Sequence, residues 1–317
     1  MSEWLRLLWG TVLLRPYVFA FLLVFLIAAT HHLGWRRTLA FVPVGYGLAW
    51  LSEFASVHWG FPYGDYYYIY TTAGRELWVA GVPFMDSLSY VFLSYCAYAT
   101  ALFLLSPVAR RGGELVIRET PELRRSWRTM LLGAFLFMFL DVVIDPVALR
   151  GSRWFLGQIY GYREAGAYFG VPVSNFIGWF MVGLVLMGAL QVLDQSSVLK
   201  GKGLQPLRRI PGIGLLGPVL FVAVLVFNLS VTFWIGEVVQ GLVGLLLVGV
   251  LLLLALVVTR RKLRLSPVSV QAATARREPV GPPREAAAVP SASLPECDRQ
   301  PGSPSTSEEA TPEGSAS

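Results

Sequence analysis

Acidic side chains lie inside long apolar segments of this chain, and no other feature of the sequence constrains the fold as strongly. The five are Glu53, Asp86, Asp141, Asp145 and Glu237. A carboxylate at the centre of a membrane helix costs about 2.5–3.5 kcal/mol on insertion scales, so ionisable residues there are rare and face the bundle interior. Because all five lie toward one end of their segments, we expect them to gather at a single site.

Composition and segment length together indicate a membrane protein. The 317 residues are 55% hydrophobic and only 15% charged, which excludes an ordinary soluble domain. A transmembrane helix needs about 20 apolar residues. Windows of that length occur at 17–33, 37–57, 82–106, 129–149, 171–193, 213–234 and 237–258. The sequence therefore predicts an all-α, polytopic membrane helix bundle with about seven transmembrane helices.

The loops between these windows predict the orientation of the chain. Sixteen Lys and Arg residues fall in the loops on one side and six in those on the other. The positive-inside rule places the richer side in the cytoplasm. We expect a multi-pass protein of the cell membrane, with its amino terminus outside and its carboxyl terminus in the cytoplasm. The net charge of +6 then reflects topology and does not indicate nucleic-acid binding.

The chain divides into two regions of different composition. Residues 1–265 form the predicted transmembrane helical domain. From Ser266 onward the chain is rich in Pro, Ala, Ser and Glu and contains no aromatic residue. Such a segment cannot bury enough apolar area to offset its ordering entropy. We predict that residues 266–317 are a disordered cytoplasmic tail without a role in chemistry.

Two segments of the chain indicate an internal repeat. Gly81-Val82-Pro83 and Gly170-Val171-Pro172 each open a span, and three residues after the proline comes Asp86 in the first and Asn175 in the second. The preceding span also carries an acid in each case, 28 or 29 residues before the glycine: Glu53 and Asp141. Both units run in the same direction, which predicts a parallel repeat about an axis near the membrane normal.

In this topology the acids and Asn175 lie at the outer ends of their helices, beneath loops rich in aromatic residues. Asp141 and Asp145 are four residues apart and share one helix face. The loops supply Trp59, Phe61, Tyr63, Tyr66, Tyr67, Tyr68, Tyr70, Trp154, Phe155, Tyr160, Tyr162, Tyr168 and Phe169. The sequence thus predicts an acidic pocket that is covered by aromatic rings and open sideways to lipid.

Several of these residues also have a purely structural interpretation. The aromatic residues could form an interfacial belt. Asp145, which precedes Pro146, could end a helix and pair with Arg150 or Arg153. Glu237 is interpreted as the cap of a tight hairpin between the last two spans.

The motifs that are absent from the sequence narrow the chemistry. The chain has no Walker motif, no dinucleotide-binding glycine motif and no nucleophile elbow. Its three histidines are too few for a membrane di-iron site. Carboxylic acids beside aromatic rings suit the protonation of an apolar substrate, with neither a metal nor an organic cofactor.

Four stretches of the sequence resemble those of a known family. They are Phe61-Pro62-Tyr63-Gly64-Asp65-Tyr66, Gly81-Val82-Pro83-Phe84-Met85-Asp86, the segment 139–157 with Asp141-Val142-Val143-Ile144-Asp145-Pro146, and Tyr168-Phe169-Gly170-Val171-Pro172-Val173-Ser174-Asn175-Phe176-Ile177-Gly178-Trp179. Over roughly residues 40–195 they are similar to the integral-membrane carotenoid hydratase family, which includes the bisanhydrobacterioruberin hydratases. The resemblance implies a hydro-lyase that adds water across the terminal C1–C2 double bond of an acyclic carotenoid and leaves a tertiary 1-hydroxy group.

The residue roles in such a reaction follow from the positions of the acids. Asp141 is the deeper of its pair and lies toward the carboxyl end of its helix, where the dipole disfavours an anion. We expect it to protonate C2, with Asp145 as its like-charged neighbour. Asp86 lies in a first helical turn, where the dipole favours a carboxylate that can deprotonate water. Glu53 would relay protons.

Aromatic rings and one amide complete the predicted site. The rings of Trp59, Tyr67 and Trp179 would stabilise a carbocation by cation–π attraction, worth about 2 kcal/mol or more in a desolvated site. Trp154 would also contact the substrate, and Asn175 would hold the attacking water. The expected partners are an apolar carotenoid, water, the lipid bilayer and other enzymes of carotenoid biosynthesis.

Other functions remain open at this stage. A carotenoid end-group (lycopene) cyclase would use the same acid, but an internal double bond would trap the cation. A polyprenyl-transferring enzyme would use Asp141 and Asp145 to bind magnesium and diphosphate. A non-catalytic membrane scaffold would leave the buried acids unexplained.

Overall fold

Among the described residues there are seven long helices, and their bounds follow the predicted windows. The computed structural model describes residues 2–111, 114–200 and 210–265, so the predicted tail at 266–317 lies outside the described residues. The long helices are α2 (Pro16–His32), α3 (Trp35–Trp59), α4 (Phe84–Leu105), α6 (Trp127–Ala148), α7 (Val173–Gln195), α8 (Leu216–Trp234) and α9 (Val238–Leu265). They form the predicted all-α, polytopic bundle.

The apolar content of these helices fits a membrane. Among the described residues, α4, α6, α7, the segment Ile213–Trp234 that contains α8, and α9 are each long and apolar enough to cross a bilayer. A sixth candidate is the pair of α1 (Glu3–Leu14) and α2, which are bent by 90° at their junction. At 25 residues α3 is also long enough, but polar residues and glycines make it less apolar.

The core of the bundle is α4, whose residues are mostly buried. It packs against α2, α3, α6 and α8, and α6 in turn packs closely on α7. In contrast, α9 contacts mainly α8, and most of its leucines and valines are exposed. A peripheral helix that contacts lipid tails must expose apolar side chains, and α9 does so.

Short strands connect the helices and were not predicted. They form three antiparallel pairs: β1 (Tyr66–Tyr68) with β6 (Tyr160–Tyr162), β2 (Trp78–Val79) with β3 (Val82–Pro83), and β4 (Val108–Arg111) with β5 (Glu114–Ile117). A short helix, α5 (Pro121–Arg124), precedes α6. The β1–β6 pair matters most for the site, because it joins the loop after α3 to the loop after α6.

The backbone around the two Gly-Val-Pro segments supports the predicted repeat. Ala80 and Gly81 have positive φ angles of 47° and 81°, and Phe169 and Gly170 have 50° and 92°. Positive φ is uncommon outside glycine. In each segment the flanking residues pair across this two-residue turn, and proline then caps the next helix, α4 or α7. The antiparallel β1–β6 pair, with Tyr67 opposite Gly161, is also what a two-fold axis between two units would produce.

A buried ion pair anchors one end of the bundle, where α2, α4, α7 and α9 begin and α3, α6 and α8 end; we call this the site end. Arg15, between α1 and α2, donates to both carboxylate oxygens of Glu76 at 3.1 and 3.0 Å, and to the carbonyl oxygen of Leu156. The two charged side chains are 1% and 0% exposed. Removal of one partner would strand a buried charge, at a typical cost of about 3–5 kcal/mol.

A charged network holds the opposite end. His32 and Arg124 both contact Glu119, at 2.8 and 2.7 Å, while Arg124 and Arg37 each lie 3.0 Å from Asp194. The network thereby links the ends of α2, α3, α5 and α7. Burial would raise the pKa of Glu119, but the adjacent His32 and Arg124 lower it to about 2.

Candidate active site

A cavity at the site end contains four of the five predicted acids. Its volume is about 130 Å³, and its lining includes Glu53 from α3, Asp86 from α4, and Asp141 and Asp145 from α6. The other lining residues are mostly aromatic or aliphatic. Four carboxyl groups in so small and apolar a space need many hydrogen-bond donors, and neighbouring side chains supply them.

The Glu53 half-site consists of Glu53, Tyr66, Tyr68, Asp86 and Tyr90. The hydroxyl groups of Tyr66 and Tyr90 donate to opposite oxygens of the Glu53 carboxyl. Tyr68 lies between the two acids, with its hydroxyl oxygen 2.9 Å from Glu53 Oε2 and 2.6 Å from Asp86 Oδ2. Three phenols therefore surround Glu53, and one of them connects it to Asp86.

The Tyr68 bridge requires a shared proton. A phenol carries one hydrogen and can donate it to only one acceptor at a time. If both carboxyls were ionised, one of the two short contacts would join two acceptors. A proton on Glu53 or Asp86 satisfies both contacts, so this half-site is built to hold and pass a proton.

The Asp145 half-site consists of Asp145, Tyr160, Tyr162, Asn175 and Asp141. Tyr160 donates to Asp145 Oδ1, and Tyr162 donates to Asp145 Oδ2 at 2.7 Å. The Asn175 amide lies 2.6 Å from Asp141 Oδ2 and 3.2 Å from Asp145 Oδ2. The two amide hydrogens suffice for both contacts, so Asn175 clamps the two acids together.

One comparison with known proteins bears on this cavity. A family model described as "Carotenoid biosynthesis protein" matches residues 12–255. The chain belongs to this family. No curated protein and no solved structure matches it. In this carotenoid biosynthesis protein, the matched range includes all four acids of the cavity and both half-sites.

The remaining predicted site residues divide into two groups. Trp154 and Trp179 line the cavity, and the Trp179 ring stacks on Tyr90 with centroids 4.6 Å apart. Trp59 and Tyr67 do not line it: their side chains are 73% and 43% exposed. Trp59 is the last residue of α3. Tyr67 is the central residue of β1 and points away from the face that Tyr66 and Tyr68 share, because side chains alternate along a strand.

The structure distinguishes between the two interpretations of Asp145. Arg150 donates to the carbonyl oxygens of Pro146 and Phe169, at 2.8 and 3.0 Å, and Arg153 pairs with Glu237. Neither arginine therefore holds Asp145, whose partners are two tyrosines and Asn175. Glu237 directly precedes α9 and lies outside the cavity lining, as expected for a hairpin cap.

The sequence did not predict the role of several other residues that line the cavity. Four of the five tyrosines of β1 and β6 were expected to cover the pocket, yet they bind its acids directly: Tyr66, Tyr68, Tyr160 and Tyr162. A signal existed in their spacing, because Tyr66 and Tyr68, like Tyr160 and Tyr162, are two residues apart and share a strand face. Tyr90 follows Asp86 by one helical turn. No comparable signal marked Tyr17, Phe227 or Asn228, which line the cavity from α2 and α8.

In the part of the chain that the structure describes, no group of three or more His, Cys, Asp or Glu side chains is placed to hold a metal ion. Glu53 and Asp145 already accept from phenols on both of their oxygens. What the cavity offers a substrate is therefore carboxyl groups held at fixed positions among aromatic rings.

Proposed function

We propose that this protein hydrates the terminal C1–C2 double bond of an acyclic carotenoid end group. The observation that carries the proposal is a small cavity in a membrane bundle in which four differently partnered carboxyl groups face aromatic rings. Membership of a carotenoid biosynthesis family supplies the substrate class. Hydration places a proton on C2 and a hydroxyl group on C1, so it needs an acid, a base and a site that tolerates a cation.

We assign the acid to Asp141. Among the described hydrogen bonds it accepts only one, from Asn175, and its side chain is 1% exposed. Donated hydrogen bonds stabilise a carboxylate, and Asp145 and Glu53 each accept three. Asp86 also accepts only one side-chain hydrogen bond, from Tyr68, but it lies in the first turn of α4, where the helix dipole favours a carboxylate. Asp141 lies toward the carboxyl end of α6, one turn from the like-charged Asp145, so we assign the delivery of the proton to C2 to Asp141.

The aromatic walls would stabilise the tertiary cation that forms at C1. Trp179 lines the cavity between Tyr90 and Phe137, with ring centroids 4.6 and 4.7 Å away. Such packing fixes the orientation of the indole ring. An electron-rich face held in a dry site can contribute about 2 kcal/mol to cation stabilisation. Trp154 lines another part of the same cavity.

Asp86 would activate the water that captures the cation. It takes the proton that water loses when oxygen bonds to C1, and Tyr68 links it to Glu53 for onward transfer. Asn175 has a different part from the one first expected. Because its amide hydrogens are engaged by Asp141 and Asp145, it positions the acids instead of holding water.

The orientation of the protein belongs to the same proposal. The distribution of Lys and Arg between the loops supports an external amino terminus and a cytoplasmic carboxyl terminus. The site end would then lie near the outer face of the membrane. Reporter fusions after Arg264 and within residues 150–170 test this, with cytoplasmic and external readings expected respectively.

The test of function is expression in a bacterium that accumulates lycopene, followed by mass analysis of the pigments. The expected product has gained the mass of one water for each hydrated end, and the Asp141→Asn variant at equal membrane abundance should lack it. A ring-containing isomer of unchanged mass would identify a cyclase. Activity that EDTA abolishes and magnesium restores would favour prenyl transfer.

A further inference from the structure

The cavity extends away from the acids toward the surface of the bundle between α2 and α8. There it is lined by Tyr17 and Phe21 of α2 and by Phe227 of α8. The Tyr17 and Phe227 rings stack with centroids 5.1 Å apart, and the Phe21 ring meets Phe227 edge-on at 5.7 Å. We call these three residues the aromatic slot. Its three side chains are apolar apart from the Tyr17 hydroxyl group, and the neighbouring Asn228 in the cavity lining donates its amide to the carbonyl oxygen of Val224 at 2.9 Å.

Aromatic side chains form the wall between the cavity and the surface of the bundle at this place. Tyr17, Phe21 and Phe227 line the cavity and are partly buried. Phe155, which is 48% exposed, packs on Tyr17 and Phe227 with ring centroids 5.5 and 6.3 Å away. Neighbouring residues on α2 and α8, including Leu23 and Val226, are exposed and apolar. The outer surface of the slot therefore belongs to the lipid-facing surface of the helices.

The loop side of the cavity is closed by polar groups instead. The β1–β6 pair covers the acids, and its tyrosine hydroxyl groups are bonded to Glu53, Asp86 and Asp145. The buried Arg15–Glu76 pair holds the adjoining loops. A long apolar chain that entered there would have to break charge-assisted hydrogen bonds, whereas at the slot it would displace only ring contacts.

We propose that the aromatic slot binds the polyene chain of the substrate and is its route from the bilayer to the acids. This inference rests on the proposed function for the class of substrate and extends it with three residues that contact the chain. The end group would reach Asp141 while the rest of the polyene lies between α2 and α8. Flat rings suit a conjugated rod, because they offer broad contact without hydrogen bonds.

The test is chemical blockade of the slot after the protein has folded. In a background with Cys297→Ser, which leaves only the fully buried Cys96, cysteine is introduced as Phe227→Cys. Val226→Cys is the matched control, since Val226 is the preceding residue and is 52% exposed. Membranes are treated with N-ethylmaleimide, and carotenoid consumption is measured before and after labelling, whatever the product.

After labelling, the rate of carotenoid consumption by Phe227→Cys should be at least about tenfold lower than before labelling. This change is equivalent to about 1.36 kcal/mol in activation free energy. Labelled Val226→Cys should keep its rate. Tyr17→Ala should raise the KM more than Tyr17→Phe, which keeps the ring. If labelling changed the rates of the two variants equally, the proposal that the aromatic slot binds the polyene chain would be wrong. A cyclised product would refute hydration but leave this comparison intact, so the two failures can be told apart.

Discussion

The two half-sites share a plan, and the residue three positions after the capping proline separates their chemistry. In each, a carboxyl near the end of a helix accepts hydrogen bonds from two tyrosines on one strand: Glu53 from β1 and Asp145 from β6. Three residues after the capping proline, the first unit has Asp86 and the second has Asn175. Asp86 adds a carboxyl that shares a phenol, whereas Asn175 adds an amide that clamps two acids.

This difference shows how a repeated scaffold can carry two roles. The Asp145 half-site surrounds Asp141 with few donors and favours proton delivery. The Glu53 half-site contains a shared proton and favours proton removal. Under the proposed function, the general acid and the general base would lie in one cavity, each held by its own unit of the repeat.

The largest effect is expected when the acid of the Asp145 half-site is removed. Asp141→Asn keeps the size of the side chain but cannot donate a suitably acidic proton. The hydration rate should fall about 10²–10⁴-fold, the usual contribution of a general acid. Membrane abundance should stay unchanged. Rates per amount of protein in isolated membranes check this, with Glu237→Gln as the control that should remain within about twofold because Glu237 lies outside the cavity.

Exchanging Asp86 and Asn175 between the half-sites should not exchange their acid and base roles. The double variant Asp86→Asn with Asn175→Asp keeps the composition of the cavity but places a third carboxyl beside Asp141 and Asp145. We expect hydration to fall about 10²-fold or more, because both the clamp and the base are lost. Conversion assays and thermal stability in detergent check it. An active double variant would show that the half-sites are interchangeable and would refute their division of labour.

Replacement of single tyrosines should have smaller effects on the hydration rate, and these effects should differ between the half-sites. Tyr68→Phe removes the group that joins Glu53 to Asp86, so the rate should fall about tenfold and its pH profile should shift. Tyr162→Phe removes one of three donors to a single acid and should act more weakly. Rates of both variants across a pH series make the comparison. Unshifted pH profiles in both would mean that the tyrosines only support the fold.

Glu119, at the end of the bundle opposite the site end, is a carboxylate with a structural role and serves as the reference for the acids of the cavity. Glu119→Gln should lower the free energy of unfolding by about 1.5–3 kcal/mol and leave the rate nearly unchanged. The pKa of Glu119 is lowered to about 2, so its stabilising effect is complete above its usual value near 4.5 and is lost as pH falls toward 2. Melting temperatures of the variant and the wild type should therefore converge in acid. A constant difference between them would contradict the ion-pair account.

The sequence predicted those features of the fold that depend on composition and on the length of apolar segments. About 20 apolar residues are needed to cross a bilayer, so the long helices could be located. Ionisable residues must face the interior, so four of the acids could be placed together. Helix α1, which lies at 90° to α2, gives no such signal, because its direction depends on the contacts of Arg15 with Glu76 and the carbonyl of Leu156.

The details of the site depend on contacts between distant segments and could not be predicted. Spacing along the chain paired Glu53 with Asp141, but the tyrosines that bind Glu53 and Asp145 make Asp145 the counterpart of Glu53. Trp59 ends α3 and Tyr67 is the central residue of β1, so both lie close in sequence to the binding tyrosines but are exposed instead of lining the cavity. The slot between α2 and α8 joins residues about 210 positions apart, and no local pattern indicates which rings will stack.

The most direct test of the division of labour is deuterium incorporation in heavy water, measured by mass spectrometry on carotenoid recovered from two variants. Asp86→Asn retains the acid, so it should place deuterium on the carotenoid and release isomerised product without adding water. Asp141→Asn should leave the carotenoid unlabelled, because C2 is never protonated. If Asp141→Asn incorporates deuterium as fast as Asp86→Asn, Asp141 is not the proton donor and the assignment of the two half-sites is wrong.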